Sequence, residues 1–285
     1  MNAPTETRLA INGVEIQVYE WPGFEPAAFL AHATGFHARC WDQVVSQLGG
    51  RRCIAIDMRG HGLSSKPPPP YRWVDFGEDT AEVLRVLGVR GAIGVGHSKG
   101  GFAVTWAAAK VPEAFRALLL VDPVILPKGA YGREQNGEEH FAARRRNEWS
   151  SPEEMFERFA SRPPFNRWKP EVLRDYCRYG LVPAAAGDGF VLACPPEVEA
   201  ATYAGSAGSG AIYDAVATID IPVRILRARP QAEDPSAGMS GSPTNPELAT
   251  YFRNAIDLPV YHYTHFIPME DPAFVAQEIE RLAAV

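Results

Sequence analysis

Apolar and polar positions alternate in two patterns over most of this chain. Short apolar runs, "AAFLAHA", "RCIAIDM", "GAIGVG" and "RALLLVDPVI", read as buried strands. Between them, "CWDQVVSQLG", "DTAEVLRVLGV" and "GFAVTWAAAKVP" repeat their apolar residues at helical spacing. Strands that alternate with helices predict parallel pairing and an α/β sheet. Ahead of them, "RLAINGVEIQVYEW" predicts a hairpin turned at Asn12-Gly13, a strong turn dipeptide.

The pattern changes after about residue 125. From Tyr131 to Tyr213 the chain is richer in arginine, aromatics and proline, with helical stretches and no obvious buried strand. "SPEEMFERFASRPPF" carries a helix start, with Ser150 or Ser151 ahead of Pro152 and glutamates. The first pattern then resumes, with "IPVRILRA" and "LPVYHYT" as strands and "NPELATYFRNAI" and "DPAFVAQEIERLAAV" as helices. Pro272 sits just inside the last helix, after Asp271 as N-cap. Residues 1–124 and 216–285 thus read as one sheet domain, and residues 125–215 as a helical insertion in it. "GSAGSG" at 205–210 is read as a flexible return link, and "KPPPPY" at 66–71 as a stiff loop.

Composition narrows the function classes. A chain of 285 residues suits one large domain or a core with an insertion. Its net charge of -6 leaves no footprint for nucleic acid, and the run Arg144-Arg145-Arg146 is too short to supply one. No run of about 18 apolar residues suggests a membrane span, and the N-terminal stretch does not read as a signal peptide. Cys40, Cys53, Cys177 and Cys194 are scattered without a CxxC pair, so they read as free thiols in a reducing compartment. A cytoplasmic protein that acts on a small molecule is expected, without metal or other cofactor, and a homodimer is compatible with it.

The chemistry concentrates at "IGVGHSKGGF", residues 93–102. "GHSKG" fits G-x-S-x-G between a predicted strand and a predicted helix. A serine on so sharp a turn takes a strained backbone, and its neighbours must be small enough for the chain to pass close to itself. The turn would lift the Ser98 hydroxyl to a helix N-terminus, which favours developing negative charge. The competing reading is a glycine-rich phosphate cradle, although neither G-x-x-x-x-G-K-[ST] nor G-x-G-x-x-G is present. A serine hydroxyl needs a base. Of seven histidines, His265 stands just past a predicted strand, at the sheet end where open α/β sheets carry their sites.

Four segments, in order, make the chain similar to the α/β-hydrolase superfamily: "HATGF" (32–36), "DMRGHGLS" (57–64), "GHSKGG" (96–101) and "HFIPMEDP" (265–272). The resemblance implies a mostly parallel central sheet flanked by helices, with the insertion as a helical cap. It implies Ser98 as nucleophile and His265 as general base and then acid. It also implies an oxyanion hole from the backbone N–H groups of Thr34 and Lys99, each such donor typically worth about 3–4 kcal/mol of barrier. The Thr34 hydroxyl is a further donor there. The Lys99 side chain is expected to point away along the helix, as a structural group or a rim charge. The first segment has His32-Ala33 where the family usually has His-Gly.

For the triad acid the superfamily uses two places. After "VRILRA" the usual position falls on Pro230 or Gln231, with Asp234 further on. After "RALLLV" stands Asp122, an acid behind apolar residues that is costly to bury without a partner. Asp122 is preferred and Asp234 is the alternative. The cap's aromatics, among them Phe159, Phe165, Trp168 and Tyr176, are expected to hold it to the sheet domain and in part to line an apolar pocket. The activity implied is hydrolysis of a small to medium hydrophobic carboxylic ester or lactone through an acyl-enzyme. Hydrolysis of a C–C bond in a β-diketone-type substrate and non-catalytic binding of a small molecule are the alternatives.

Overall fold

The computed structural model describes residues 3–132, 140–185, 187–230 and 240–284. Strands β1 (Thr5–Ile11) and β2 (Val14–Trp21) form the predicted hairpin. Asn12 and Gly13 both have positive φ, 45° and 76°, as a two-residue turn of that twist requires. There follow β3 (Phe24–Ala31), α1 (Asp42–Ser46), β4 (Arg51–Asp57), α2 (Trp73–Val86), β5 (Ala92–His97), α3 (Lys99–Lys110) and β6 (Phe115–Val121). Next come β7 (Glu148–Trp149), α4 (Pro152–Ala160), α5 (Pro170–Tyr179), β8 (Leu181–Pro183), β9 (Phe190–Leu192), α6 (Pro196–Ala204) and α7 (Ile212–Thr218). The chain ends with β10 (Val223–Arg227), β11 (Ala255–Pro259), α8 (Ile267–Glu270) and α9 (Pro272–Ala283).

Among the described residues an eight-stranded sheet runs β1-β2-β4-β3-β5-β6-β10-β11. Only the β1–β2 and β2–β4 pairs are antiparallel; the others are parallel. This is the expected α/β-hydrolase fold. The continuous apolar runs are explained by burial on both faces. Successive side chains of a strand point to opposite sides. Leu118 and Leu120 of β6 accordingly join the core shared with Phe102 of α3, while Leu119 and Val121 join the core shared with Ile279 of α9. No helix among the described residues is long and apolar enough to cross a membrane.

Helix starts follow local chemistry. The Ser151 hydroxyl accepts the Glu154 N–H (3.1 Å) at the head of α4, which decides between Ser150 and Ser151. The Asp271 carboxylate accepts the Phe274 N–H (2.9 Å), with Pro272 opening α9.

Several expectations of local structure need correction. The stretch 131–213 does contain strands: β7, β9 and β8 form a small antiparallel sheet. Strands of two or three residues are too short to show a period. The last strand is not "LPVYHYT" but Ala255–Pro259. Among the described residues its one neighbour, β10, ends at Arg227; the Val260 N–H still donates to Arg227 O (2.8 Å), but the residues after Val260 have no ladder to join, and His262 lies in a turn rather than a strand. "NPELATYFRNAI" forms only a 3-10 turn at Leu248–Tyr251. There the Asn245 side chain accepts the Glu247 N–H (3.1 Å), a capping bond that opens this one short turn. The expected boundary between residues 215 and 216 falls inside α7, which packs on α3.

The site's position follows from the register. Ala31 of β3 pairs with Gly96 of β5, and His97 of β5 pairs with Val121 of β6. The residues just beyond these strands therefore emerge together at one edge. They are His32 to Thr34, Ser98 and Asp122. A third apolar cluster lies over that edge, with Ala33, Phe36 and Phe266 packed against Trp149, Met155, Trp168 and Tyr176 of the intervening segment.

Candidate active site

Ser98 stands between β5 and α3 with φ 56° and ψ -120°. A non-glycine residue in such a conformation typically costs on the order of 1–3 kcal/mol, so its surroundings must hold it there. They do so through the backbone. The Ser98 N–H donates to Val121 O (3.1 Å), and the Ser98 carbonyl accepts from Gly101 N (3.0 Å) and Val124 N (3.0 Å). The glycines have the steric role expected of them. A Cβ on Gly96 would stand 2.6 Å from the Gly101 Cα, and one on Gly100 would collide with the Ala31 carbonyl.

The structure brings Ser98, His265 and Asp122 together. The Ser98 Oγ lies 3.0 Å from His265 Nε2, and His265 Nδ1 lies 2.6 Å from Asp122 Oδ2. Asp122 is fully buried. Its backbone is also left-handed, with φ 44°, and its N–H donates to Leu226 O (2.7 Å). Its other carboxylate oxygen accepts from Ser242 Oγ (2.6 Å) and Ala228 N (2.9 Å). These two donors answer the cost of burying the acid behind an apolar strand. Asp234, the alternative acid, lies outside the described residues.

His265 is held from two further sides. Its N–H donates to Ser240 O (2.8 Å). Its carbonyl accepts from Nε2 of His97 (2.8 Å), the residue before Ser98. Burial pushes the His97 ring down to about 3, with the nearby His265 adding to the effect, so the ring is neutral with its proton on Nε2. The sequence marks none of His97, Ser242 and Ser240 as part of the site. His97 was visible as the variable residue of the motif, but nothing local marks it as a support for a histidine 168 positions away.

Thr34 and Lys99 meet at the same place in different ways. Lys99 is the first residue of α3, so its N–H has no helical acceptor. No hydrogen bond from the Thr34 N–H is found among the described residues, and the buried Thr34 hydroxyl is also without a partner there. The Lys99 side chain is not a rim charge. It is fully buried, with its ammonium 3.9 Å from the centroid of the Phe76 ring. Burial lowers it from its ordinary value to about 7. His32 lies in the same region. It accepts the Met58 N–H at Nε2 (3.0 Å) and donates from Nδ1 to Ala33 O (2.7 Å). Burial, and then the Lys99 charge, hold it well below the ordinary histidine range.

Above these residues opens a cavity of about 660 Å³ that reaches Ser98, His265 and Thr34. Phe36 and Phe266 line its lower wall, and Phe159, Phe165, Trp168 and Tyr176 its upper wall. Arg145, Arg146, Arg158 and Arg162 line it too, a place their sequence pattern does not indicate. The Arg145 guanidinium is bonded to the buried Glu199 carboxylate and to Tyr176 Oη (2.8 Å).

A model of the alpha/beta hydrolase family matches residues 28–278. The 2-(acetamidomethylene)succinate hydrolase of Mesorhizobium japonicum is 34% identical over 116 residues, 40% of this chain and 41% of that protein. The bifunctional esterase/perhydrolase of Acinetobacter calcoaceticus is 36% identical over 105 residues, 36% of this chain and 38% of that protein. The chain thus spans about two-fifths of the length of these curated relatives. A crystal structure of E-2-(acetamidomethylene)succinate hydrolase superimposes with a TM-score of 0.75 at 22% identity, over 99% of this chain and 100% of that one. That likeness is one of fold.

Proposed function

We infer that this chain, which belongs to the alpha/beta hydrolase family, is a serine hydrolase that cleaves a carboxylic ester or lactone. The observation that carries the reading is the unbroken line from Ser98 Oγ through His265 to Asp122, at 3.0 and 2.6 Å, opening on the cavity. In this mechanism His265 Nδ1–H donates to Asp122, which leaves Nε2 free to accept the Ser98 proton. Ser98 Oγ attacks the carbonyl carbon, and the carbonyl π-bond electrons move to oxygen. The free N–H groups of Thr34 and Lys99, with the unpartnered Thr34 hydroxyl, receive that oxyanion. The C–O bond to the leaving alcohol then breaks, and His265 returns the proton to that oxygen. Water repeats the sequence on the acyl-enzyme and restores Ser98. Segment 125–215 acts as the cap, which excludes water and shapes the acyl site.

Hydrolysis of p-nitrophenyl esters of increasing acyl length tests the reading, with Ser98→Ala as reference. Turnover should fall by up to about a millionfold in the variant. Equal turnover by both proteins would sink the proposed nucleophile.

A further inference from the structure

The four arginines on the cavity wall face a single glutamate there, in a protein whose net charge is -6. Two of the four are engaged. Arg145 is bonded to Glu199 and Tyr176, and Arg146 pairs with Glu154 (2.6 Å) and lies over the Trp149 ring at 4.2 Å. Arg158 and Arg162 differ. Among the described residues neither side chain has an ion-pair or hydrogen-bond partner. They stand one turn apart, in the last turn of α4 and just beyond it, with the cavity-lining Phe159 between them. Like charges at that spacing repel. Both side chains are exposed, and a helix C-terminus favours cations anywhere around it, but that does not account for both of them bordering the cavity that reaches Ser98.

We propose that Arg158 and Arg162 receive a carboxylate carried by the substrate at the end remote from its scissile carbonyl, so that the substrate is an acidic half-ester or lactone acid. This rests on the hydrolase reading and names its substrate class. Two guanidiniums without partners among the described residues match the two oxygens of one carboxylate, and the aromatic wall toward Ser98 takes the hydrocarbon between the two ends. The capture also replaces like-charge repulsion with two attractions.

A matched pair of esters tests it: mono-p-nitrophenyl glutarate, with a free carboxylate, and p-nitrophenyl pentanoate, its neutral counterpart. The protein should prefer the glutarate by at least about tenfold in kcat/KM, a preference that shrinks as salt rises from roughly 0.05 to 0.5 M. The Arg158→Gln/Arg162→Gln variant should bring the ratio close to one. Arg158→Lys/Arg162→Lys should retain part of it, and Arg90→Gln, on the exposed surface away from the cavity, should leave the ratio alone. A wild-type ratio of one or less, or a ratio that survives the double glutamine change, overturns the proposal and leaves the hydrolase reading standing. If no ester is turned over, the hydrolase reading fails. Glutarate binding to Ser98→Ala then decides the anion site, read by quenching of Trp149 and Trp168 on the cavity wall. A Kd raised about tenfold by the double glutamine change supports the site, whereas an unchanged Kd or no binding overturns it.

Discussion

The floor and the roof of the cavity are built on different principles. The floor consists of residues that follow strand ends, Thr34, Ser98 and Asp122, with His265 joining the last two. It is buried and cross-bonded, and two of its residues sit in left-handed backbone. The roof, from Arg145 to Tyr203, contributes aromatic rings and arginines, several of them exposed, on short helices and strands. Small displacements matter on the floor, because reacting atoms must meet within a few tenths of an ångström. The roof needs only shape and charge. This predicts that floor substitutions act on kcat and roof substitutions on substrate preference.

The sharpest test on the floor after Ser98 itself is Asp122→Asn. The asparagine carbonyl would still accept from Ser242 and Ala228, so its amide would face His265 Nδ1. That favours the tautomer with the proton on Nε2, which cannot take the Ser98 proton. A loss in kcat of roughly ten-thousandfold is expected with KM little changed. A change confined to KM, measured by steady-state kinetics on the best ester, would break the division between floor and roof.

His97→Leu comes next. It removes the donor to the His265 carbonyl and keeps an apolar filler, so the His265 loop loses one of its two anchors. A fall in kcat on the order of ten- to a hundredfold is expected. His97→Gln, which restores an N–H donor, should recover part of it. If both variants fall equally, the ring's packing matters rather than the hydrogen bond.

This contrast also explains what could be read from the chain before its structure. The floor was legible because sterics force its sequence: only small residues at 96 and 100 allow the Ser98 turn, and the buried strands leave continuous apolar runs. Asp122 was legible as an acid placed where burial is costly without a partner. Its supports were not, because Ser242 and His97 reach their partners through the fold, 120 and 168 positions away. The roof was readable only as a class of composition. Its strands are too short for periodicity, and the row Arg144-Arg145-Arg146 does not reveal that Arg145 turns to Glu199. Nor does the spacing of Arg158 and Arg162 reveal a cavity beside them. The chain beyond Pro259 was misread because strand propensity cannot foresee where the neighbouring strand ends.

The smallest effect on turnover is expected beneath the floor, at Lys99, where the change is one of stability. Its backbone N–H belongs to the proposed oxyanion site, but its side chain runs into the core and ends over Phe76 without a hydrogen-bond acceptor among the described residues. A buried ammonium without an acceptor is costly, and the folded protein answers by lowering its proton affinity from 10.5 to about 7. Below about pH 7 the lysine is protonated whether the chain is folded or not, and the destabilisation is complete. Between there and pH 10.5 the unfolded chain holds a proton that the folded one has released, so this group's destabilisation is lifted as pH rises. Lys99→Met keeps the length of the side chain and removes the charge. Its melting temperature should exceed that of the unchanged protein most at pH 6 and least near pH 10, each kcal/mol recovered amounting to roughly 2–3 °C in a chain of this size. Equal melting temperatures at pH 6 would mean that the Lys99 ammonium finds a partner in solution. The region beneath the floor would then be bonded as Ser98, His265 and Asp122 are above it.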